Sequence, residues 1–167
     1  MTTFQDGDYA VSNLAYASPV GETSQPADGV IGFPLPYRVV LLTKTALSPM
    51  ASNFRIRKWD NQRNTSGDLY EIKIGDNVTH LASGNQVLAQ KDQVFGWKLE
   101  QLPDQGPNVY TIGYKSDNTM LFWHVASGNE NASVELKTPQ QGATDLSGYL
   151  FTLEPSKVNQ DEPEVHV

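Results

Sequence analysis

The chain has 167 residues, 38% of them hydrophobic and 19% charged, with a net charge of −7 and no cysteine. That length suits one domain with a substantial core, and the missing cysteines exclude disulfides, thiolate-ligated zinc and a thiol nucleophile. An acidic chain lacks the clustered Lys and Arg that phosphate contacts need, so no nucleic-acid partner is expected.

In chain order, Asp8–Asn13 sets Tyr9 and Val11 in alternation and predicts a first strand. Ala17–Gly29, with two prolines and two glycines, predicts a long polar loop. Val30–Phe33 predicts a short strand that Pro34 and Pro36 end. Val39–Thr43 is an apolar run of the kind found in buried strands. Lys44–Asn53 predicts a second long loop. Phe54 and Ile56 then alternate with Arg55 and Arg57, and a turn-rich link follows over 60–68. Leu69–Ile74 places Tyr70, Ile72 and Ile74 on one face. Further strands are predicted around Val87–Ala89, Trp97–Leu99, Tyr110–Ile112, Met120–Val125, Val134–Leu136 and Tyr149–Leu153. No stretch sustains a capped helical period.

The chain repeats itself. HLASGN at 80–85 and HVASGN at 124–129 are nearly identical and lie 44 residues apart. Strand starts of the form Tyr-x-aliphatic occur at Tyr9, Tyr70 and Tyr110. Closing pairs occur at Phe54/Ile56, Trp97/Leu99 and Phe151/Leu153. The stretch Phe95–Ile112, strand then turn then strand, sets the register by joining the second unit to the third. Three irregular units of about four strands predict an all-β protein, a β-trefoil with a six-stranded barrel capped by three hairpins. A β-sandwich or lipocalin-like barrel leaves the threefold repeat unexplained. The expected layout is one domain over 1–154, with repeats at about 4–60, 68–102 and 108–154, and an acidic tail over 155–167.

No apolar run approaches the roughly 18 residues that span a bilayer, so no membrane partner is expected. The first ten residues lack the apolar core of a signal peptide. A cytoplasmic protein is expected, with the sequons at Asn64, Asn77 and Asn131 unmodified.

Few residues point to chemistry. His80 and His124 hold equivalent places in two repeats, about a third of a turn apart in a trefoil. They are expected to be hairpin residues beside a Ser-Gly-Asn turn, since a metal site needs convergent ligands. The carboxylates are scattered over loops, and no nucleophile or phosphate-loop pattern is present. A protein without enzymatic activity or cofactor is expected. Trp59, Trp97 and Trp123 are candidates for stacking on sugars, but Trp97 lies in a closing pair and is expected in the core. The Gln-x-Trp of sugar-binding trefoils does not recur: Phe95 stands two before Trp97. Loops on a rigid β scaffold remain as carriers of function.

At this point the sequence resembles the fungal β-trefoil protease inhibitors, in particular the cospin- and cnispin-type serine protease inhibitors of mushrooms. The resemblance is carried by Asp6–Asn13, Val39–Leu42, Gly96–Ile112, Val134–Leu136 and Leu150–Leu153. It implies a monomer that inhibits a target protease through one surface loop docked like substrate. A basic side chain would pair with the carboxylate of a trypsin-like S1 pocket. Lys137-Thr138, stiffened by Pro139, matches the position one family member uses. Lys44-Thr45 is a second candidate, in the corresponding loop of the first repeat. In the short loop between the second and third strands the chain carries Phe33-Pro34-Leu35-Pro36 where many relatives have a polar or basic residue, which disfavours substrate-like docking there. The opening Asp6-Gly7-Asp8-Tyr9 also looks like the mycocypins, trefoil inhibitors of cysteine proteases. That resemblance implies wedging by Ala17–Gly29 and Lys44–Asn53 into a papain-like cleft, with Gly21 allowing close backbone approach. A lectin is the alternative from another class.

Overall fold

Six strands close on one another into a ring. Each is short and pairs antiparallel with its neighbours, and the alternation of buried and less buried residues is strictest in β5. The computed structural model describes residues 4–26, 34–42, 53–64, 67–142 and 144–156. Lys44, Thr45, most of the loop expected over Lys44–Asn53, the strand expected over Val30–Phe33 and nearly all of the expected tail lie outside those residues. The ring is built from β1 (Gly7–Asn13), β4 (Asn53–Lys58), β5 (Leu69–Ile74), β8 (Trp97–Gln101), β9 (Val109–Ser116) and β12 (Phe151–Pro155). Its pairings run β1–β4, β4–β5, β5–β8, β8–β9, β9–β12 and back to β1. Closure leaves the barrel without an open edge.

The other six strands form three hairpins: β2 (Ser18–Pro26) with β3 (Tyr37–Leu41), β6 (Asn77–Leu81) with β7 (Val87–Gln90), and β10 (Thr119–Val125) with β11 (Val134–Lys137). The hairpins meet one another where Arg38 pairs with Leu88, Val40 with Ser133 and Gln86 with Glu135. The twelve strands thus fall into three successive sets of four around a pseudo-threefold axis, and the fold is a β-trefoil. β12 ends at Pro155, paired with Tyr9, and Ser156 N donates to Asp8 O at 2.8 Å.

The closing residues fill the core as the repeat predicts. Phe54, Trp97 and Phe151 have no exposed surface. Trp123 joins them, edge-on to Trp97 at 5.5 Å and to Phe151 at 5.9 Å, an arrangement that aromatic quadrupoles favour. Trp97 Nε1 donates to Thr79 Oγ1 at 2.9 Å, and Thr79 Oγ1 donates to Ile72 O at 2.7 Å. Both polar groups are therefore satisfied inside the core. At the barrel end away from the hairpins, Tyr9, Tyr70 and Tyr110 surround Phe4, with ring centroids 4.8, 5.4 and 5.4 Å from it. Burial raises the pKa of all three phenols.

The structure corrects one expectation that bears on function. Most of Ala17–Gly29 is strand, because β2 runs through both Pro19 and Pro26. It pairs with β1 at Ser18 and Pro19 and with β3 from Val20 onward, and a register shift between Glu22 and Pro26 accommodates Pro26. Gly21 is buried and faces Val40 across the hairpin. Strand pairing equates it with His80 and His124, each following a fully buried residue: Val20, Thr79 or Trp123. It stands inside the cap rather than at a loop tip.

Candidate functional site

Lys137 is the last residue of β11, opposite Phe122, and its side chain is exposed. The chain leaves the hairpin there and returns at β12, and both ends of the connection are braced. At the near end Thr138 Oγ1 donates to Met120 O at 2.9 Å, and Pro139 restricts the backbone after it. At the far end the Asp145 carboxylate accepts Ser147 N at 3.1 Å and Ser147 Oγ at 2.7 Å. Those bonds hold the Asp145 carboxyl below the usual carboxylate range. A 3-10 turn over Ser147–Tyr149 follows, tied to the barrel by Asn13 Nδ2, which donates to Gly148 O at 3.2 Å. Between the braces, Gln140, Gln141 and Gly142 are exposed, with Gly142 at φ 83°, a conformation glycine adopts without steric cost.

His124 supports this loop from below. Its ring packs on Tyr149 with centroids 4.3 Å apart, and Gly148 lies so close that a Cβ there would sit 2.9 Å from His124 Nε2. Its Nδ1 is buried with no hydrogen-bond partner among the described residues. Burial holds the imidazole below its usual range; the Lys137 ammonium adds to the lowering and the Glu135 carboxylate opposes it. His80, also lowered by burial, lies under a different hairpin. His80 and His124 both lie in hairpin strands, and His124 packs at the base of the Lys137 loop.

Of the residues picked from sequence, Lys137 and Thr138 stand together at one exposed loop. Gly21 lies apart in the cap, and Lys44 and Thr45 lie outside the described residues. Sequence reasoning missed the Asp145–Ser147 brace and the His124–Tyr149 support. The spacing Asp-x-Ser before a Gly is a visible turn signal, but the His124 contact joins residues 25 apart and exists only in the fold.

What fold and site define is a β-trefoil that presents an exposed lysine on a loop fixed at both ends. The comparisons with known proteins agree on the fold. The chain is similar to a proteinase inhibitor from Coprinopsis cinerea, with a TM-score of 0.69 at 20% identity over 92% of this chain and 100% of that one. It is also similar to ThreeFoil, a designed three-fold symmetric protein (0.64, 12%, 90% and 100%). A ricin B-like lectin from Macrolepiota procera, solved in complex with lactose, matches too (0.64, 12%, 93% and 100%). No protein-family model and no curated relative matches the chain.

Proposed function

We propose that the protein is a protease inhibitor, without catalytic activity of its own, that blocks trypsin-like serine proteases with the loop following β11. The observation that carries this reading is the exposed Lys137 beside the Thr138–Met120 bond, on a loop pinned again at Asp145–Ser147. A loop held in one conformation loses little entropy on docking and so binds tightly. A lysine at its head offers the charge that an acidic S1 pocket selects. The fold is shared with a lectin as well as an inhibitor, so the loop, rather than the fold, favours inhibition. The inhibitor similarity adds that a trefoil can serve this role. For the cysteine-protease alternative, Gly21 is buried in β2 rather than at a loop tip, and its second loop, Lys44–Asn53, lies almost entirely outside the described residues. The expected working form is a cytoplasmic monomer.

The test is titration of trypsin, chymotrypsin, subtilisin and papain with the purified chain. Stoichiometric inhibition of trypsin is expected. Lys137→Ala should weaken it at least about 30-fold, the effect of removing a central contact worth about 2 kcal/mol, while Lys44→Ala leaves it intact. Trypsin inhibition that survives Lys137→Ala unchanged places the reactive residue elsewhere.

A further inference from the structure

Trp59 is the tryptophan that the core does not absorb. It leaves β4 half-buried, and its backbone is tied on both sides. Trp59 N donates to Leu69 O at 2.9 Å, and Asn64 Nδ2 donates to Trp59 O at 2.9 Å. Its indole lies against the backbone of Gly96: a Cβ at that position would clash with Trp59 Cε3 and fall 2.7 Å from Cδ2. Glycine at 96 is what lets the ring lie there. An indole outside the core is thus held in place by two backbone bonds and a glycine seat.

Two clefts adjoin this ring, and both include Val94, which at 61% is the most exposed large hydrophobic side chain among the described residues. One cleft, of about 250 Å³, continues over Leu69, Phe95 and Tyr114. The other, of about 430 Å³, is polar and includes Arg57, Asp60 and Glu71. No hydrogen bond or ion pair engages the Asp60 or Glu71 carboxylate or the Arg57 guanidinium among the described residues.

We propose that this double cleft is a binding site for a neutral saccharide, stacked on Trp59 with its hydroxyls turned toward Arg57, Asp60 and Glu71. Carboxylates only accept hydrogen bonds and a guanidinium only donates them. A purely apolar ligand would strip water from all three without replacing it. A ligand of one charge would meet a like charge in the cleft. Hydroxyls both donate and accept, so a polyhydroxy ring satisfies both kinds of group, and its C–H face covers the indole. The site lies on the β4–β5 connection and the β7–β8 loop, apart from the Lys137 loop, and does not depend on the inhibitor reading.

The protein carries its own controls, because Trp97 and Trp123 are fully buried. The full chain, labelled with 15N, is titrated with lactose, cellotriose and chitotriose up to millimolar concentration, and the three indole N–H signals are followed, with Trp59→Phe assigning the surface one. A saturable shift of the Trp59 signal with at least one sugar is expected, the other two staying in place. Glu71→Gln and Asp60→Asn should weaken that binding about 10-fold each, and Lys137→Ala should leave it unchanged. Gly96→Ala should abolish it by displacing the indole; the retained positions of the Trp97 and Trp123 signals report that the variant is folded. No Trp59 shift with any of the three sugars, or equal shifts of all three indoles, overturns the proposal.

Discussion

Glu22 shows how a single position can run against its surroundings. Strand pairing equates it with Leu81 and Val125 in the other two repeats, so a carboxylate stands where its counterparts are aliphatic. Asn77 Nδ2 donates to Glu22 Oε2 at 3.0 Å. Burial raises the pKa of Glu22 above 4.5, and the Asn77 bond only partly offsets this. A raised folded-state pKa means the fold holds the proton more tightly than the unfolded chain does. The stabilisation is complete below the unfolded value of about 4.5 and is lost as pH rises through the folded value. At pH 7 the partly buried charge therefore opposes folding. Glu22→Gln, which keeps an acceptor for Asn77, should raise Tm at pH 7, each kcal/mol gained appearing as roughly 2–4 °C. Melting curves below pH 4.5 should show that advantage shrink toward zero.

Among the elements, the loop after β11 differs from an ordinary connection in how it is tethered. Thr138 can adopt extended backbone without help, so its hydroxyl bond to Met120 O acts mainly on the loop's path. Thr138→Val keeps the shape and removes that bond. An exposed hydrogen bond contributes about 0.5–1.5 kcal/mol, so inhibition of trypsin should weaken by up to about tenfold, with Tm nearly unchanged. An inhibition constant equal to that of the parent would show that the tether plays no part in docking. At this scale the sequence was legible where periodicity was strict. Tyr70, Ile72 and Ile74 share the buried face of β5, as their spacing predicts. It misled over β2, where Pro19, Gly21 and Pro26 carry loop chemistry yet lie in a strand, because pairing with β3 outweighs local preference.

For the whole molecule, the threefold repeat has a consequence at the barrel end away from the hairpins. Tyr9, Tyr70 and Tyr110 surround one ring without a counterpart in the other repeats, Phe4, which precedes β1. Tyr9 Oη donates to Gln5 O at 2.6 Å and holds that segment in place. Phe4→Ala should destabilise the chain by about 2 kcal/mol, toward the low side of what a buried phenylalanine contributes because Phe4 is half-buried. Urea unfolding measures this directly, and a loss under about 0.5 kcal/mol would show that the tyrosines close the barrel unaided.

The sequence by itself determined the repeat, the alternating strands and the closing aromatics, because each is a local pattern that barrel closure must satisfy three times. It also singled out Lys137, which the structure places as the last residue of β11 where the loop begins. Only the tertiary structure decided that Gly21 is buried beside Val40, that Trp123 meets Trp97 edge-on, and that Gly96 seats Trp59. Those facts depend on contacts between residues far apart in the chain or across repeats. Periodicity places a side chain on a face but cannot say which distant side chain meets it there.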